Sequence, residues 1–355
     1  MSSERRFLLI RADANTQIGI GHLMRCLALA QAWQSKGGQA VFITACSSDS
    51  LRRRLSDEGF KIIPVDRSYP DPADWALLSE MLAVYPDSWV VLDGYHFDPS
   101  YQLRIKETGH PLLVIDDMAH LDHYYADIVL NQNINAGQLN YSCEPYTRPL
   151  LGTRYVLLRR EFWPWHGWKR EIPETARKIL VTLGGGDPDN QTLMVIRALG
   201  QVKVEGLEAT IVVGPSNTYV QELEAEARDA QFEVHLITNA SNMPELMAWA
   251  DVAVAGGGST CWELAFIGLP SILLVLSENQ KNIAAGLGEK EAAINLGWYT
   301  ESSIEEVDHK LSRLLEDRGL RCHMSHQGRE LVDGLGNERI EKFLRTQFHS
   351  GLARH

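Results

Sequence analysis

Short apolar runs alternate with amphipathic stretches along most of this chain, and this alternation restricts the possible folds more than any other feature of the sequence. Such runs are typical of strands, and the stretches between them have helical spacing. Repeated strand-helix-strand units form a parallel, doubly wound sheet. The N-terminal part is predicted to contain strands 7–10, 40–44, 61–65, 89–93 and 112–116, separated by helices 21–36, 51–58, 73–84 and 99–107.

A second series of the same kind follows a break in the pattern. It is predicted to contain strands 178–183, 209–213, 233–237 and 252–255, with helices from about 190, at 219–229 and at 243–249. The chain has 355 residues, more than the roughly 250–300 that one hydrophobic core supports. We therefore expect two Rossmann-like α/β domains at 1–150 and 176–335, joined by a linker at 151–175 and followed by a helix and tail at 336–355.

Aromatic side chains dominate the segment at 162–168, which reads FWPWHGW. Large amphipathic aromatic residues commonly fill interfaces. We interpret these residues as packing between the two domains, and the alternative is a platform on which a sugar ring stacks. They are not assigned to the candidate site.

Composition and charge exclude several classes of partner. Apolar residues make up 45% and charged residues 23% of the chain, as in an ordinary globular protein. The net charge is −12 and no basic block is longer than 52–54, which argues against nucleic acid and anionic membranes as partners. The five cysteines have no metal-site spacing, so we expect reduced thiols. With too short an apolar run for a secretory signal or a membrane span, a cytoplasmic protein is expected.

A histidine stands where the first predicted strand gives way to the first predicted helix. Residues 17–26 read QIGIGHLMRC, which places His22 at the start of the amphipathic stretch. The N–H groups of a first helical turn suit an anion, and their partial positive charge disfavours imidazolium. A neutral histidine can accept a proton, so His22 is a candidate general base. The alternative is a histidine that merely caps its own helix.

The most informative motif of the second series is a glycine triplet between a strand and a helix. Residues 251–263 read DVAVAGGGSTCWE. Glycines let backbone N–H groups approach a phosphate closely, and the end of the helix favours negative charge. We therefore interpret the loop as a binding site for a diphosphate. The alternative is a tight turn followed by a capping box of Thr260 and Glu263.

A companion loop, LGGGDPDN at 183–190, also joins a strand to a helix. It needs no ligand if Asp or Asn caps that helix. Neither this loop nor GIGHLM at 19–24 matches a dinucleotide fingerprint, so NAD is not expected. The sequence also lacks the P-loop motif GxxxxGK[ST], which removes the P-loop nucleotidases. We expect no cofactor.

Polar side chains follow the other predicted strands. They include Asp93, Tyr95 and His96, Asp116 and Asp117, Asn131 and Asn133, and Asn279 and Gln280. Each of them could cap a helix or form a turn. Their shared position matters more, because open α/β sheets bind ligands beyond the C-terminal ends of their strands. Bases and amides at such a place suit a carbohydrate better than an apolar ligand.

The order of these motifs resembles that of a known enzyme family. The motifs are Arg11-Ala-Asp13, Ile18-Gly-x-Gly-His22 and Arg25, then Asp93-x-Tyr95, Asp116-Asp117, Asn131-x-Asn133, the Gly184 loop, and the Gly256 loop with Glu263. Over residues 5–300 they resemble the UDP-2,4-diacetamido-2,4,6-trideoxy-β-L-altropyranose hydrolases of pseudaminic acid biosynthesis. The C-terminal glycine motif is shared more widely, with glycosyltransferases of the murein lipid type.

The resemblance implies a GT-B fold, in which two Rossmann-like domains face an interdomain cleft. It implies that His22 is the catalytic base and that Tyr95 and Asp117 lie near the sugar. Glu263 would bind the uridine ribose, and the backbone of the Gly256 loop would hold the diphosphate. The residues expected to bind the substrate are Asp13, Gly21, Arg25, Tyr95, Asp117, Asn131, Asn133, Gly185, Gly186, Gly257, Gly258, Ser259, Thr260, Glu263, Asn279 and Gln280.

The implied reaction is hydrolysis of the UDP-sugar. Water deprotonated by His22 attacks the anomeric carbon from the face opposite the diphosphate, so the configuration inverts and UDP leaves. The scheme requires no metal. A glycosyltransferase that uses the same donor and a non-catalytic nucleotide-sugar binding module are the alternatives. We expect a monomer, although the sequence does not determine the oligomeric state.

Overall fold

The computed structural model of this protein describes residues 7–15, 19–214, 216–238 and 240–351. Ile18 of the N-terminal motif and residues 352–355 of the predicted tail lie outside the described residues. The chain divides into two compact units. Unit 1 comprises Met1–Arg160 together with Gly334–His355, and unit 2 comprises Glu161–Asp333. Each unit contains one parallel sheet, as the alternation of strands and helices predicts.

Unit 1 begins with strands and helices in the predicted order. Its elements are β1 (Phe7–Ala12), α1 (Gly21–Ser35), β2 (Gln39–Thr44), α2 (Asp49–Asp57), β3 (Lys61–Pro64), α3 (Pro72–Val84), β4 (Trp89–Asp93), α4 (Pro99–Glu107), β5 (Leu112–Ile115), β6 (Ile128–Asn131) and β7 (Arg148–Leu151). The strands lie in the order β3-β2-β1-β4-β5-β6-β7. The order reverses between β1 and β4, and open sheets of this type bind ligands at such a switch point.

Unit 2 repeats the plan with its own sheet. Its elements are β8 (Lys178–Thr182), α5 (Gln191–Leu199), β9 (Glu208–Val213), α6 (Val220–Asp229), β10 (Glu233–Thr238), α7 (Met243–Trp249), β11 (Val252–Gly256), α8 (Thr260–Ile267), β12 (Ser271–Val275), α9 (Lys281–Glu289), β13 (Ile294–Trp298), α10 (Ile304–Glu316) and α11 (Arg318–Leu331). The strand order is β10-β9-β8-β11-β12-β13, with the reversal between β8 and β11. The two glycine loops follow these two strands.

The strands of unit 1 are mostly apolar because helices cover both faces of the sheet. Along β1 the side chains alternate between the faces. Leu8 and Ile10 pack in one core with Leu23 of α1, whereas Leu9 packs in another with Leu78 of α3. All five side chains are fully buried. The sheet is therefore a rigid base for the loops that follow its strands.

The last helix, α12 (Gly336–Gly351), packs in unit 1. Ile340 and Leu344 lie in the same core as Trp33 of α1. The indole N–H of Trp89 donates to the carbonyl of Leu344 at 3.1 Å. A helical pattern does not reveal which sheet the helix will cover, so the sequence left 336–355 outside both domains. Among the described helices, none has both the length and the apolar character of a membrane span.

The segment at 147–175, where the predicted alternation breaks down, contains regular structure. Its first residues form β7, which lies at the edge of the sheet. Pro149 stands within this strand, and proline is tolerated at an edge because a donor is not needed on the open side. Further on, Phe162 is buried against Phe266, with ring centroids 6.5 Å apart, and Trp165 and Trp168 stack edge-on at 5.3 Å.

Candidate active site

The ends of β1 and β4 lie side by side at the switch point of unit 1. Ala12 of β1 pairs with Asp93, the last residue of β4. The loop after β1 leads into α1, which carries His22 and Arg25, and the loop after β4 carries Tyr95. Four of the predicted site residues come together here, namely His22, Arg25, Tyr95 and Asp117.

His22 is hydrogen-bonded to Asp93 through the ring nitrogen Nδ1. The distance from Nδ1 to Oδ1 of Asp93 is 2.5 Å, and the His22 side chain is 7% exposed. A carboxylate can only accept a hydrogen bond, so Nδ1 carries the hydrogen and the lone pair of the neutral ring is on Nε2. His22 therefore has the tautomer of a general base. A buried aspartate orients the histidine of a serine protease in the same way.

Arg25 keeps Asp93 ionised. Its Nε and Nη2 donate to the two carboxylate oxygens of Asp93, each at 2.6 Å. Burial raises the pKa of Asp93, but the charge of Arg25 and the hydrogen bonds from Arg25 and His22 lower it to about 2. Nη2 of Arg25 also lies 3.1 Å from Nδ1 of His22. The electrostatic environment of His22 is thus set by Asp93 and Arg25 as well as by the end of α1.

Asp117 is the second carboxylate of this cluster. Its Oδ2 accepts a hydrogen bond from Nη1 of Arg25 at 2.9 Å, and its Oδ1 accepts one from the Tyr95 hydroxyl at 2.6 Å. The Tyr95 ring lies edge-on to the His22 ring, with centroids 5.0 Å apart and an interplanar angle of 83°. The side chain of Asp117 is 11% exposed. The cluster thus connects an imidazole, two carboxylates, a guanidinium and a phenol.

Asp13 lies just after β1, and its carboxylate is engaged within the protein. It forms an ion pair with Arg11 and accepts a hydrogen bond from the N–H of Ala45 at 2.7 Å. Its Oδ2 lies 3.4 Å from Nε2 of His96. Burial raises the pKa of Asp13, but the interactions with His96 and Arg11 lower it well below its usual value. Contact of Asp13 with a substrate stays a prediction.

The predicted residues Asn131 and Asn133 are both buried. Asn131 donates from Nδ2 to the Tyr141 hydroxyl at 2.8 Å, and its Oδ1 accepts from the N–H of Asn133 at 2.8 Å. Tyr141 in turn donates to the carbonyl of Asp116 at 2.8 Å. These bonds connect the loops after β5 and β6. Gly21 is the first residue of α1, and substrate contacts of these three residues stay predictions.

In unit 2, the glycine triplet follows β11 and is held by a glutamine. The Gln280 side-chain oxygen accepts hydrogen bonds from the N–H of Gly257 at 3.1 Å and of Leu276 at 2.9 Å. A Cβ at position 257 would lie 3.1 Å from the Cβ of Gln280, a tight contact that glycine avoids. Gln280 therefore shapes the loop. Its neighbour Asn279 is exposed and accepts from the Ser277 hydroxyl at 2.7 Å.

The helix after the triplet has Ser259 at its N-cap and not Thr260, the residue that the alternative capping box would place there. α8 begins at Thr260 with Ser259 at its N-cap, and within the described residues the Ser259 side chain makes no cap hydrogen bond. The N–H groups of a first turn have no intrahelical acceptors. A Cβ added to Gly258 would lie 3.8 Å from its nearest neighbour, Nε2 of Gln280. The backbone N–H groups at the start of α8 and the open space at Gly258 fit the predicted anion site.

The companion glycine loop is capped by the chain itself. Asp187 accepts hydrogen bonds from the N–H and the hydroxyl of Thr192, at 2.8 and 2.6 Å, so the first turn of α5 has a protein partner. A Cβ on Gly214, after β9, would lie 2.4 Å from the carbonyl oxygen of Gly185. Asp187, three residues before the N-cap residue Asn190, thus serves the first turn of α5, and ligand contacts of Gly185 and Gly186 stay predictions.

Sequence reasoning missed the most important partner of His22. We interpreted Asp93 singly as a cap or a turn residue, whereas it orients the candidate base. A signal was present, because β4 is apolar up to this aspartate and a carboxylate is not buried without a hydrogen-bonded or charged partner. His120 was not considered at all. Its ring nitrogen Nδ1 lies 2.9 Å from Oδ2 of Asp116, next to the cluster.

Solved structures identify the fold. The chain superposes on MurG of Acinetobacter baumannii with a TM-score of 0.68, covering 96% of this chain and 99% of that chain at 17% identity. The chain has a GT-B fold. Residues 181–334 of this GT-B protein match the family model described as the glycosyltransferase family 28 C-terminal domain. The matched region contains both glycine loops.

Two relatives extend the comparison of the GT-B chain. It is 25% identical over 312 residues to the uncharacterized protein MJ1062 of Methanocaldococcus jannaschii, covering 85% of this chain and 62% of that protein, which is less than two thirds of its length. It is 23% identical over 300 residues to the UDP-2,4-diacetamido-2,4,6-trideoxy-beta-L-altropyranose hydrolase of Campylobacter jejuni, covering 80% of this chain and 96% of that protein. The resemblance to these hydrolases, predicted from the motifs, is confirmed.

Proposed function

We propose that this GT-B protein hydrolyses UDP-2,4-diacetamido-2,4,6-trideoxy-β-L-altropyranose at the anomeric C–O bond, with inversion, and releases UDP and the free sugar for pseudaminic acid biosynthesis. The observation that carries the proposal is the pair of His22 and Asp93, in which Nδ1 lies 2.5 Å from a buried carboxylate. An imidazole in this tautomer is suited to take one proton from a water molecule. The similarity to the Campylobacter jejuni hydrolase supports the choice of substrate.

The base step uses side chains of unit 1. Nε2 of His22 takes a proton from water while the water oxygen forms its bond to the anomeric carbon. Asp93 stabilises the imidazolium that results, and it stays ionised because Arg25 donates two hydrogen bonds to it. After UDP leaves, the proton passes from Nε2 to solvent. A positioned general base of this kind contributes about 10²–10⁴-fold to a rate.

UDP leaves with the electron pair of the broken C–O bond. A diphosphate is a good leaving group when its charge is stabilised, so stabilisation of charge matters more here than a general acid. We assign this role in unit 2 to the backbone N–H groups of Gly258, Ser259 and Thr260 at the start of α8. The carboxylate of Glu263, in the same helical turn, is assigned to the hydroxyls of the uridine ribose.

We assign Tyr95 and Asp117 to recognition of the sugar. Asp117 accepts one hydrogen bond at each oxygen, from Arg25 and from Tyr95. A carboxylate has about four acceptor sites, so Asp117 can still accept an N–H from a sugar acetamido group. Its partly exposed side chain supports this role.

A glycosyltransferase is the second candidate function. Residues 181–334 match a glycosyltransferase domain, which favours a UDP-sugar donor site in unit 2 for either activity. A transferase would use His22 to deprotonate the hydroxyl of an acceptor instead of water. A non-catalytic binding module would keep the glycine loop, but it would have no use for a histidine that Asp93 and Arg25 orient.

Incubation of the purified protein with the UDP-sugar alone tests the proposal. We expect UDP and free sugar to appear without any acceptor. The matched control is His22→Asn, which should lower turnover by about 10²-fold or more and leave the affinity for UDP nearly unchanged. Turnover that begins only when an acceptor is added would support the transferase. Binding of UDP without turnover would support the module.

A further inference from the structure

A second histidine of unit 1 connects two loops near His22. His120 stands in the loop after β5, and its side chain is 27% exposed. Its Nδ1 lies 2.9 Å from Oδ2 of Asp116, and its Nε2 lies 3.1 Å from the carbonyl oxygen of Tyr95. His120 thus ties the loop after β5 to the loop after β4.

Both partners of the His120 ring accept hydrogen bonds. A carbonyl oxygen has no hydrogen to donate. Asp116 already accepts from the N–H groups of Met118 at 2.7 Å and Ala119 at 3.0 Å, and from the Tyr124 hydroxyl. Burial raises the pKa of Asp116, but its hydrogen bonds, above all that from His120, lower it below its usual value. Neutral imidazole has one N–H and imidazolium has two, so the geometry at His120 is that of the charged ring.

The backbone between Asp116 and His120 is shaped for this contact. Ala119 has a φ of 51°, in the left-handed region that residues with a Cβ rarely adopt. Such a conformation persists where the surrounding structure over-determines it, and it is enriched at functional sites. The turn returns the chain so that His120 reaches back to Asp116, four residues earlier.

Tyr95 is the link between His120 and the candidate base. Its ring lies edge-on to both histidines, with centroids 5.0 Å from that of His22 and 5.7 Å from that of His120. Its hydroxyl donates to Asp117 at 2.6 Å. A shift of the Tyr95 backbone therefore changes what both His22 and Asp117 contact.

We propose that His120 is a positioning residue: its charged ring bridges the Asp116 carboxylate and the Tyr95 carbonyl, and loss of its proton releases one of these bonds. The inference rests on the proposed function, because the reaction is what Tyr95 is positioned for. With one N–H left, the ring can hold the carboxylate or the carbonyl but not both. Deprotonation thus loosens Tyr95 beside His22.

The groups around His120 favour its charged form. The titratable and charged groups that face it are Asp116, Asp117, Tyr95 and Tyr124. The hydrogen bond to Asp116 raises the pKa of His120 above its usual value, and burial opposes this only in part. Asp117 favours the charged ring as well, although Arg25 is paired with it. The bridge is therefore present at acidic pH, persists to higher pH than the charge of an ordinary histidine, and is lost as pH rises further.

A pH profile of three proteins tests the bridge. We expect kcat/KM of the wild type to fall by about tenfold on the alkaline side, the cost of one charge-assisted hydrogen bond. His120→Gln has a single donor nitrogen at any pH, where imidazolium has two, so its kcat/KM should lie about tenfold below that of the wild type at acidic pH and lack the alkaline fall. The matched control is His123→Gln in the same loop, whose ring binds Ser142 and Glu144 and which should follow the wild type. A His120→Gln profile that parallels the wild type would overturn the proposal.

An NMR measurement on the wild type tests whether the charged bridge exists, and it needs no enzyme assay. We expect the ¹⁵N shifts of His120 to report hydrogens on both ring nitrogens at acidic pH and a pKa above the ordinary value of about 6.5. A pKa of His120 at or below about 6.5 would overturn the proposal even if the pH profile agreed. Failure of the wild type to hydrolyse the UDP-sugar would refute the proposed function, and the ¹⁵N shifts would then decide whether the charged bridge exists.

Discussion

Asp93→Asn replaces one oxygen by NH₂ in the group that orients His22. The substituted side chain has nearly the same shape, so it enters the site at the end of β4 without a steric conflict. An amide can donate a hydrogen bond to Nδ1 of His22, which moves the ring hydrogen to Nε2. The lone pair then points at residue 93 instead of at water. Arg25 loses one of its two negative partners.

The structure sets the size of both effects. The wrong tautomer lowers kcat by about 10⁴-fold in the serine protease case, and we expect about 10³–10⁴-fold here because the contact is of the same kind. The pKa of Asp93 falls from its ordinary value of 3.8 to about 2 in the folded protein. This difference means that the fully buried site favours the charged form by about 2 kcal/mol, so the free energy of unfolding should fall by about that amount.

The assay is the rate of UDP release at saturating UDP-sugar, together with urea unfolding and the affinity for UDP. Asp127→Asn is the matched control. Asp127 accepts hydrogen bonds from Nζ of Lys106 at 2.5 Å and from the N–H of Leu112 at 2.7 Å. These contacts lie at the opposite end of β5 from the candidate site. Asp127→Asn should lower stability and leave kcat unchanged. A kcat of Asp93→Asn within about threefold of the wild type, in a folded protein, would refute the role given to Asp93.

Three other predictions concern the glycine triplet with the helix that follows it, and the stability of the protein in acid. Glu263→Ala should weaken UDP binding by about tenfold at an unchanged melting temperature, measured by calorimetry; a loss of stability alone would mean that Glu263 only supports α8. Gly258→Val should also weaken UDP binding. The valine side chain has room in the free protein, but it would keep a phosphate from approaching the backbone. An unchanged affinity for UDP would contradict this role of Gly258. Asp93 contributes stability above pH 3.8 that is lost as pH falls toward about 2, so the free energy of unfolding should fall over this interval less in Asp93→Asn than in the wild type.

Much of the fold could be predicted because it depends on local patterns. Burial on both faces makes the inner strands mostly apolar runs, and the predicted strands of both units agree with the structure to within two residues at each end. The strand-end position of the polar residues follows from the same pattern. Since β1, β4 and β5 lie side by side, His22, Tyr95 and Asp117 meet at one edge of the sheet.

The remaining features depend on contacts between distant parts of the chain. The bond from His22 to Asp93 joins residues 71 positions apart. The apolar run before Asp93 indicates that this carboxylate needs a partner, but no local pattern in the sequence indicates that the partner is His22. The carboxamide of Gln280 could equally have faced a ligand or the backbone of the glycine loop, and the structure places it on the loop. The charged state of His120 follows only from its two acceptors, of which one is a backbone carbonyl.

The central claim is that His22 directs water to the anomeric carbon and not to phosphorus. Hydrolysis in H₂¹⁸O, followed by ³¹P NMR and mass spectrometry of the released UDP, tests this claim most directly. Attack at carbon leaves the original bridging oxygen on the nucleotide, so we predict UDP without ¹⁸O. Incorporation of ¹⁸O into the β-phosphate of UDP would contradict the account.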